Sequence, residues 1–229
     1  MVQNDPKIII NFKTYIQGMG QQAVWLARLA ESISNDYDVY IGIAPQFTDL
    51  HSVIQHVDIP VFAQHIDMYE PGSHTGHVLP EAVVATGAVG TLLNHSERQL
   101  NLKEIEAAVQ RCRETHLISI VCADTPEKTV QVAAFQPDIV AIEPPELIGT
   151  GIPVSQAQPE IVENTVSMVR EQDSEIPILC GAGITTGDDV AAALALGTQG
   201  VLLASGVVKA KDPAQVLIDL VQGIKNYAR

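Results

Sequence analysis

A chain of 229 residues that is 46% hydrophobic and 17% charged is long enough to bury one large core and too apolar for extended disorder. Its formal net charge of −14 argues against a nucleic-acid partner or an anionic membrane surface, because both would repel it. The start, MVQNDPKIII, lacks a basic segment followed by a long apolar core, and no apolar run approaches the roughly 20 residues that span a bilayer. Cys112, Cys122 and Cys180 are odd in number and widely spaced, with no C-x-x-C pair, so neither a disulfide framework nor a zinc site is suggested. A soluble, cytoplasmic protein is the expectation.

The predicted elements alternate along the chain. Strands are expected at KIIINF from Lys7, VYIGIA from Val39, PVFAQ from Pro60 and VGTLLN from Val89. Four more follow at LISIVC from Leu117, DIVAIE from Asp138, PILCGAG from Pro177 and GVLLA from Gly200. These runs are apolar nearly throughout, as a parallel sheet buried on both faces requires.

Between them lie helical patterns. Leu26, Leu29, Ala30 and Ile33 recur at i, i+3, i+4 and i+7, as do Ile105, Ala108, Val109 and Cys112, and then Leu217, Leu220, Val221 and Ile224, so each helix offers one apolar stripe to the sheet. Gly197 is expected to end a helix over Asp189 to Leu196, and Asp212 followed by Pro213 reads as an N-cap and first helical position. Eight βα units with no linker favour one closed (β/α)8 barrel over 1–229 rather than an open doubly wound sheet.

In such a barrel the working residues lie just past the C-terminal ends of the strands. Asn11 and Lys13 follow the first strand, His95 and Glu97 the fourth, and Glu143 the sixth. Each alone is an ordinary surface or strand-end residue, but their joint occurrence brings polar groups from three loops to one mouth. Small residues after the seventh and eighth strands, in CGAGITTGDD and LLASGVVKAKDP, let backbone N–H groups approach an anion, in the loops where barrel enzymes often hold phosphate. As turn-formers alone, Gly181, Gly183 and Gly206 need no ligand.

INFKTY, LLNHSERQL, EPPELIGTG, CGAGI and GVLLASGVVKAKDP occur in this order, and with them the whole chain resembles the triosephosphate isomerases, specifically their shorter archaeal-type branch. The resemblance implies interconversion of dihydroxyacetone phosphate and D-glyceraldehyde 3-phosphate through an enediolate, with no cofactor and no metal. It implies Glu143 as the base, His95 as the electrophile, and Asn11 and Lys13 at the substrate, with Glu97 as companion in the histidine loop. Ile148 and Gly149 would close over the phosphate as part of a lid at about 143–153, while Gly183, Ala204 and Ser205 would present backbone donors to it. CGAGI and ASG depart from the serine and paired glycines of the longer branch, which leaves the fine geometry of those donors open.

In that family the histidine is kept neutral by a helix N-terminus, and Ser96 and Glu97 are expected to open such a helix here. The resemblance also implies a homodimer or homotetramer, with YEPGSHTGH from Tyr69 as a contact loop. His65, His74 and His77 have no carboxylate or cysteine spacing that completes a metal site. Two alternatives stay open: another sugar-phosphate isomerase on the same fold, and a non-catalytic barrel that binds triose phosphate.

Overall fold

Every position of the run Lys7–Asn11 is buried, which only a strand covered on both faces allows. The computed structural model describes residues 5–144, 158–172 and 175–227. Its strands are β1 (Lys7–Asn11), β2 (Tyr40–Ala44), β3 (Phe62–Ala63), β4 (Gly90–Leu93), β5 (Ile118–Ala123), β6 (Ile139–Ile142), β7 (Ile178–Cys180) and β8 (Gly200–Leu203). The helices are α1 (Gln21–Tyr37), α2 (Phe47–Ile54), α3 (Pro80–Thr86), α4 (Leu102–Thr115), α5 (Pro126–Ala133), α6 (Pro159–Gln172), α7 (Gly187–Ala195), the one-turn α8 (Ser205–Val208) and α9 (Pro213–Tyr227).

The strands are parallel and run in the order β2, β1, β8, β7, β6, β5, β4, β3. A bridge between Ile43 and Val61 joins the two end strands. The sheet is therefore the expected (β/α)8 barrel, and the open doubly wound alternative is excluded.

Strand alternation divides the apolar residues into two cores. Ile9, Phe62, Leu92, Ile120, Leu179 and Leu202 fill the inside of the barrel. Ile8, Ile10, Val121, Val140 and Val201 pack outward against the helical stripes, where Leu26, Ile105 and Leu217 are buried. At the N-terminal end Lys7 lies inside, with Nζ donating to the Asp5 carbonyl at 2.7 Å and standing 5.7 Å from the Tyr40 ring centroid. That end is filled, so an open site belongs at the other.

Local chemistry sets the helix ends. Asn101 and Glu104 form a capping box on α4, and Thr125 caps α5 with Pro126 at its start. Asp212 accepts from Gln215 N–H at 3.1 Å, as the Asp-Pro signal implies, and Gly197 has φ +94° just past α7. The start of α7 departs from expectation: it begins at Gly187, because Thr186 is the N-cap and Asp189 closes a capping box at its third position. β3 is likewise shorter than the run from Pro60 suggested.

Candidate active site

The inward alternation of each strand continues one step beyond the apolar core. Ile9 faces inside and is followed two residues later by Asn11, Leu92 by Asn94, Ile120 by Cys122, Ala141 by Glu143, Leu179 by Gly181 and Leu202 by Ala204. These positions form the floor of the C-terminal mouth. Asn11, Lys13, His95, Glu143, Gly183 and Ser205 line a cleft of about 530 Å³, counting space open to solvent.

Lys13 stands in the left-handed region at φ +48°, a conformation that lysine rarely adopts. Its N–H donates to Asn11 Oδ1 at 2.9 Å, and its carbonyl accepts from Gln64 Nε2 at 2.9 Å. Gln64 also donates to the Ala44 carbonyl, which ties the β1 loop to β2. The ammonium then reaches across the mouth to Glu97 Oε1 at 2.9 Å.

His95 is only 7% exposed. No helix opens behind it: Ser96 and Glu97 form a turn closed by Arg98 N–H to the His95 carbonyl at 2.7 Å, and α4 starts only at Leu102. The expected helix N-terminus is replaced by one amide. Glu97 N–H donates to His95 Nδ1 at 3.1 Å, so Nδ1 is the acceptor and the proton of the neutral ring sits on Nε2. Burial, with the Lys13 charge adding to it, brings the imidazole down to about 4. The ring is thus a neutral donor at physiological pH.

Glu143 lies at the end of β6 and is 4% exposed. Its N–H donates to the Ala123 carbonyl at 2.8 Å, which extends the β5–β6 pairing to the site. Oε1 faces His95 Nε2 at 3.7 Å, too far for a hydrogen bond, so both heads stay available to a third molecule. Oε2 has no hydrogen-bond partner among the described residues. Burial lifts the carboxyl to about 7, against opposition from the neighbouring Cys122 thiol and from the Lys13 charge.

Gly181 makes room for this carboxylate. A β-carbon there would lie 2.5 Å from Glu143 Cγ, so the glycine serves close approach between neighbouring strands rather than a turn. Gly183, two residues on, does need left-handed backbone, at φ +73°.

Gly183 and Ala204 to Gly206 line the β7–β8 corner of the cleft. Ser205 opens α8, where the first helical N–H groups have no helical acceptor. Asp189 holds the β7 loop from behind. Its Oδ2 accepts from Thr185 N–H at 2.9 Å, Thr185 Oγ1 at 3.1 Å and Thr186 N–H at 2.8 Å.

The family model described as triosephosphate isomerase matches residues 6–224. A triosephosphate isomerase of Methanocaldococcus jannaschii is 51% identical over 217 residues, covering 95% of this chain and 99% of that protein. The chain belongs to the triosephosphate isomerase family. Relatives of the same name in Methanobacterium bryantii, 49% identical over 223 residues, and Methanoculleus marisnigri, 52% identical over 218 residues, span nearly their full lengths as well: 97% of this chain and 99% of that protein in the first, 95% and 98% in the second. The protein is accordingly an isomerase enzyme on a TIM barrel.

All the expected site residues of this isomerase that fall among the described residues reach one mouth: Asn11, Lys13, His95, Glu143, Gly183, Ala204 and Ser205 line it, and Glu97 touches it through Lys13 and His95. Ile148, Gly149 and the lid beyond Pro144 lie outside the described residues. His65 and His77 instead contact Asp67, at 3.2 and 3.3 Å, and among the described residues no three His, Cys, Asp or Glu side chains gather to hold a metal. Sequence reasoning missed Gln64, Asn94, Cys122 and Asp189; for Asn94 and Cys122 the usable signal was strand alternation carried past the last apolar residue.

Proposed function

We propose that Glu143 is the base and His95 the electrophile in the interconversion of dihydroxyacetone phosphate and D-glyceraldehyde 3-phosphate. The observation that carries the reading is the facing pair of a lifted carboxylate and a neutral imidazole across 3.7 Å, with the Lys13 ammonium lining the same cleft. Glu143 takes a proton from one carbon of the substrate and returns it to the neighbour, an exchange suited to a carboxyl near neutrality. Negative charge grows on the carbonyl oxygen meanwhile, and the His95 Nε2–H stabilises it more than it stabilises the ground state. Asn11 and Lys13 join the substrate oxygens, and Glu97 holds Lys13 while its N–H keeps the histidine tautomer.

The phosphate sits on the Gly183, Ala204 and Ser205 amides in this reading, with Ile148 and Gly149 in a lid over about 143–153 that shuts out water. In a chain of net charge −14, backbone dipoles hold a dianion with few arginines. We further assign the chain to the archaeal-type branch, as one barrel domain over 1–229, cytoplasmic, assembled as a homodimer or homotetramer through the Tyr69 loop. Among the described residues no helix is long and apolar enough to cross a membrane.

Steady-state turnover in both directions tests the assignment. Glu143→Gln is expected to lower kcat by about 10²–10⁴-fold, the range of a lost general base, with KM little changed. Turnover near wild type in the folded variant would refute the role of Glu143.

A further inference from the structure

The proposed mechanism gives no role to Asn94, a buried side chain at the floor of the mouth. Asn94 is 4% exposed and stands directly before His95, where the chain leaves β4. Its backbone is left-handed at φ +56°, a region that asparagine enters more readily than most residues. The side chain spends both its functions across this bend. Nδ2 donates to the Cys122 carbonyl at 2.7 Å, and Oδ1 accepts from Leu100 N–H at 2.8 Å.

Those two bonds join three parts of the site. Leu100 lies at the far end of the 95–100 segment, so the acceptor bond closes that segment into a loop anchored at its root. Cys122 is the inward residue of β5, and the carbonyl of the next residue, Ala123, accepts the Glu143 N–H at 2.8 Å. One amide thereby pins the loop that carries His95 to the strand that touches the base. The other ties of this loop, Glu97 to Lys13 at 2.9 Å, Arg98 to Asp67 at 3.6 Å and Gln99 to Asp124 at 3.2 Å, each run through an exposed side chain of the loop. The Glu97 N–H on Nδ1 belongs to the loop itself and moves with it.

We infer that Asn94 is a positioning residue for the isomerisation, setting where His95 Nε2 stands relative to Glu143 by fastening the 95–100 loop to Cys122. The inference rests on the role proposed for His95. It concerns the chemical step alone, since the phosphate corner on β7 and β8 makes no contact with Asn94 among its hydrogen bonds. A misplacement of about 1 Å in a catalytic group can cost about 10²-fold in rate, and a loosened loop costs part of that.

Two substitutions separate this from a general loss of stability. Asn94→Gly accepts the left-handed backbone and removes both side-chain bonds, whereas Asn94→Asp keeps the acceptor for Leu100 N–H and removes the donor to Cys122. With glyceraldehyde 3-phosphate as substrate, each folded variant is expected to lose about tenfold in kcat with KM within about twofold. The ¹H–¹⁵N signal of the His95 Nε2–H is expected to shift and broaden, because the ring moves relative to Glu143 while the Glu97 N–H keeps its tautomer. Wild-type kcat together with an unchanged ring signature in either folded variant overturns the inference, as does a fall in rate that only tracks the unfolded fraction. Should N94G fail to fold, N94D alone decides between the same outcomes. His95→Gln, run alongside, keeps the two readings apart: a fast H95Q refutes the histidine role, whereas a slow H95Q beside a fast N94D refutes only that of Asn94.

Discussion

In the proposed mechanism the working groups on the β4–β6 side of the mouth are side chains that burial has altered, whereas those on the β7–β8 side are main-chain amides that side chains merely hold in place. His95 and Glu143 carry ionisable heads brought to about 4 and about 7 by loss of water. Gly183, Ala204 and Ser205 contribute no ionisable side chain, and the buried carboxylate there, Asp189, faces away into the Thr185 and Thr186 turn. The contrast follows from the task. Moving a proton requires groups whose charge changes, and desolvation tunes them; a phosphate already carries its charge and needs only fixed dipoles.

Altering the first side should therefore change kcat and altering the second KM. Gly181 lies on the boundary and gives the largest expected effect after loss of the base itself. In Gly181→Ala the new methyl would overlap Glu143 Cγ, so the proposed base must move, and kcat is expected to fall about 10²-fold while KM stays near wild type. A rise in KM with kcat intact would instead assign Gly181 to the phosphate corner.

A pH profile bears on the same side. The role proposed for Glu143 needs it ionised, so kcat/KM is expected to fall as pH drops through about 7, by about tenfold per unit on the acid limb. His95 stays neutral until about 4 and adds no limb above that. An acid limb at 4 alone would mean that Glu143 is wetter than its surroundings imply.

The smallest expected change lies on the other side. Asp189→Ala releases the Thr185 and Thr186 amides and removes one half of the capping box on α7, while the Thr186 side chain still caps the helix. Raised KM by about fivefold, weaker competitive inhibition by inorganic phosphate and kcat within about twofold are the outcomes that keep the comparison. A fall in kcat with KM unchanged would break it.

Within the β4–β6 side, residues differed in how far they could be read in advance. His95, Glu97 and Glu143 stand just past apolar runs and announce themselves by chemistry. Asn94 and Cys122 do not, since an asparagine after a strand reads as a turn residue and a cysteine inside an apolar run reads as core. The expected helix behind His95 failed for a local reason: the Ser96 to Arg98 turn closes on the His95 carbonyl, and the good capping box sits later, at Asn101 and Glu104.

Runs of apolar residues, their spacing and the polar residues that end them are properties of the chain itself, and they sufficed for eight strands, the barrel and the positions of Asn11, Lys13, His95 and Glu143. Contacts between strands are not. That Gly181 clears space for Glu143, that Asn94 reaches the Cys122 carbonyl, and that Glu97 N–H selects the histidine tautomer all depend on register and loop closure. The shifts of Glu143 and His95 depend on them too, because desolvation is set by residues brought in from strands far apart in the chain, and no local pattern records how much water they exclude.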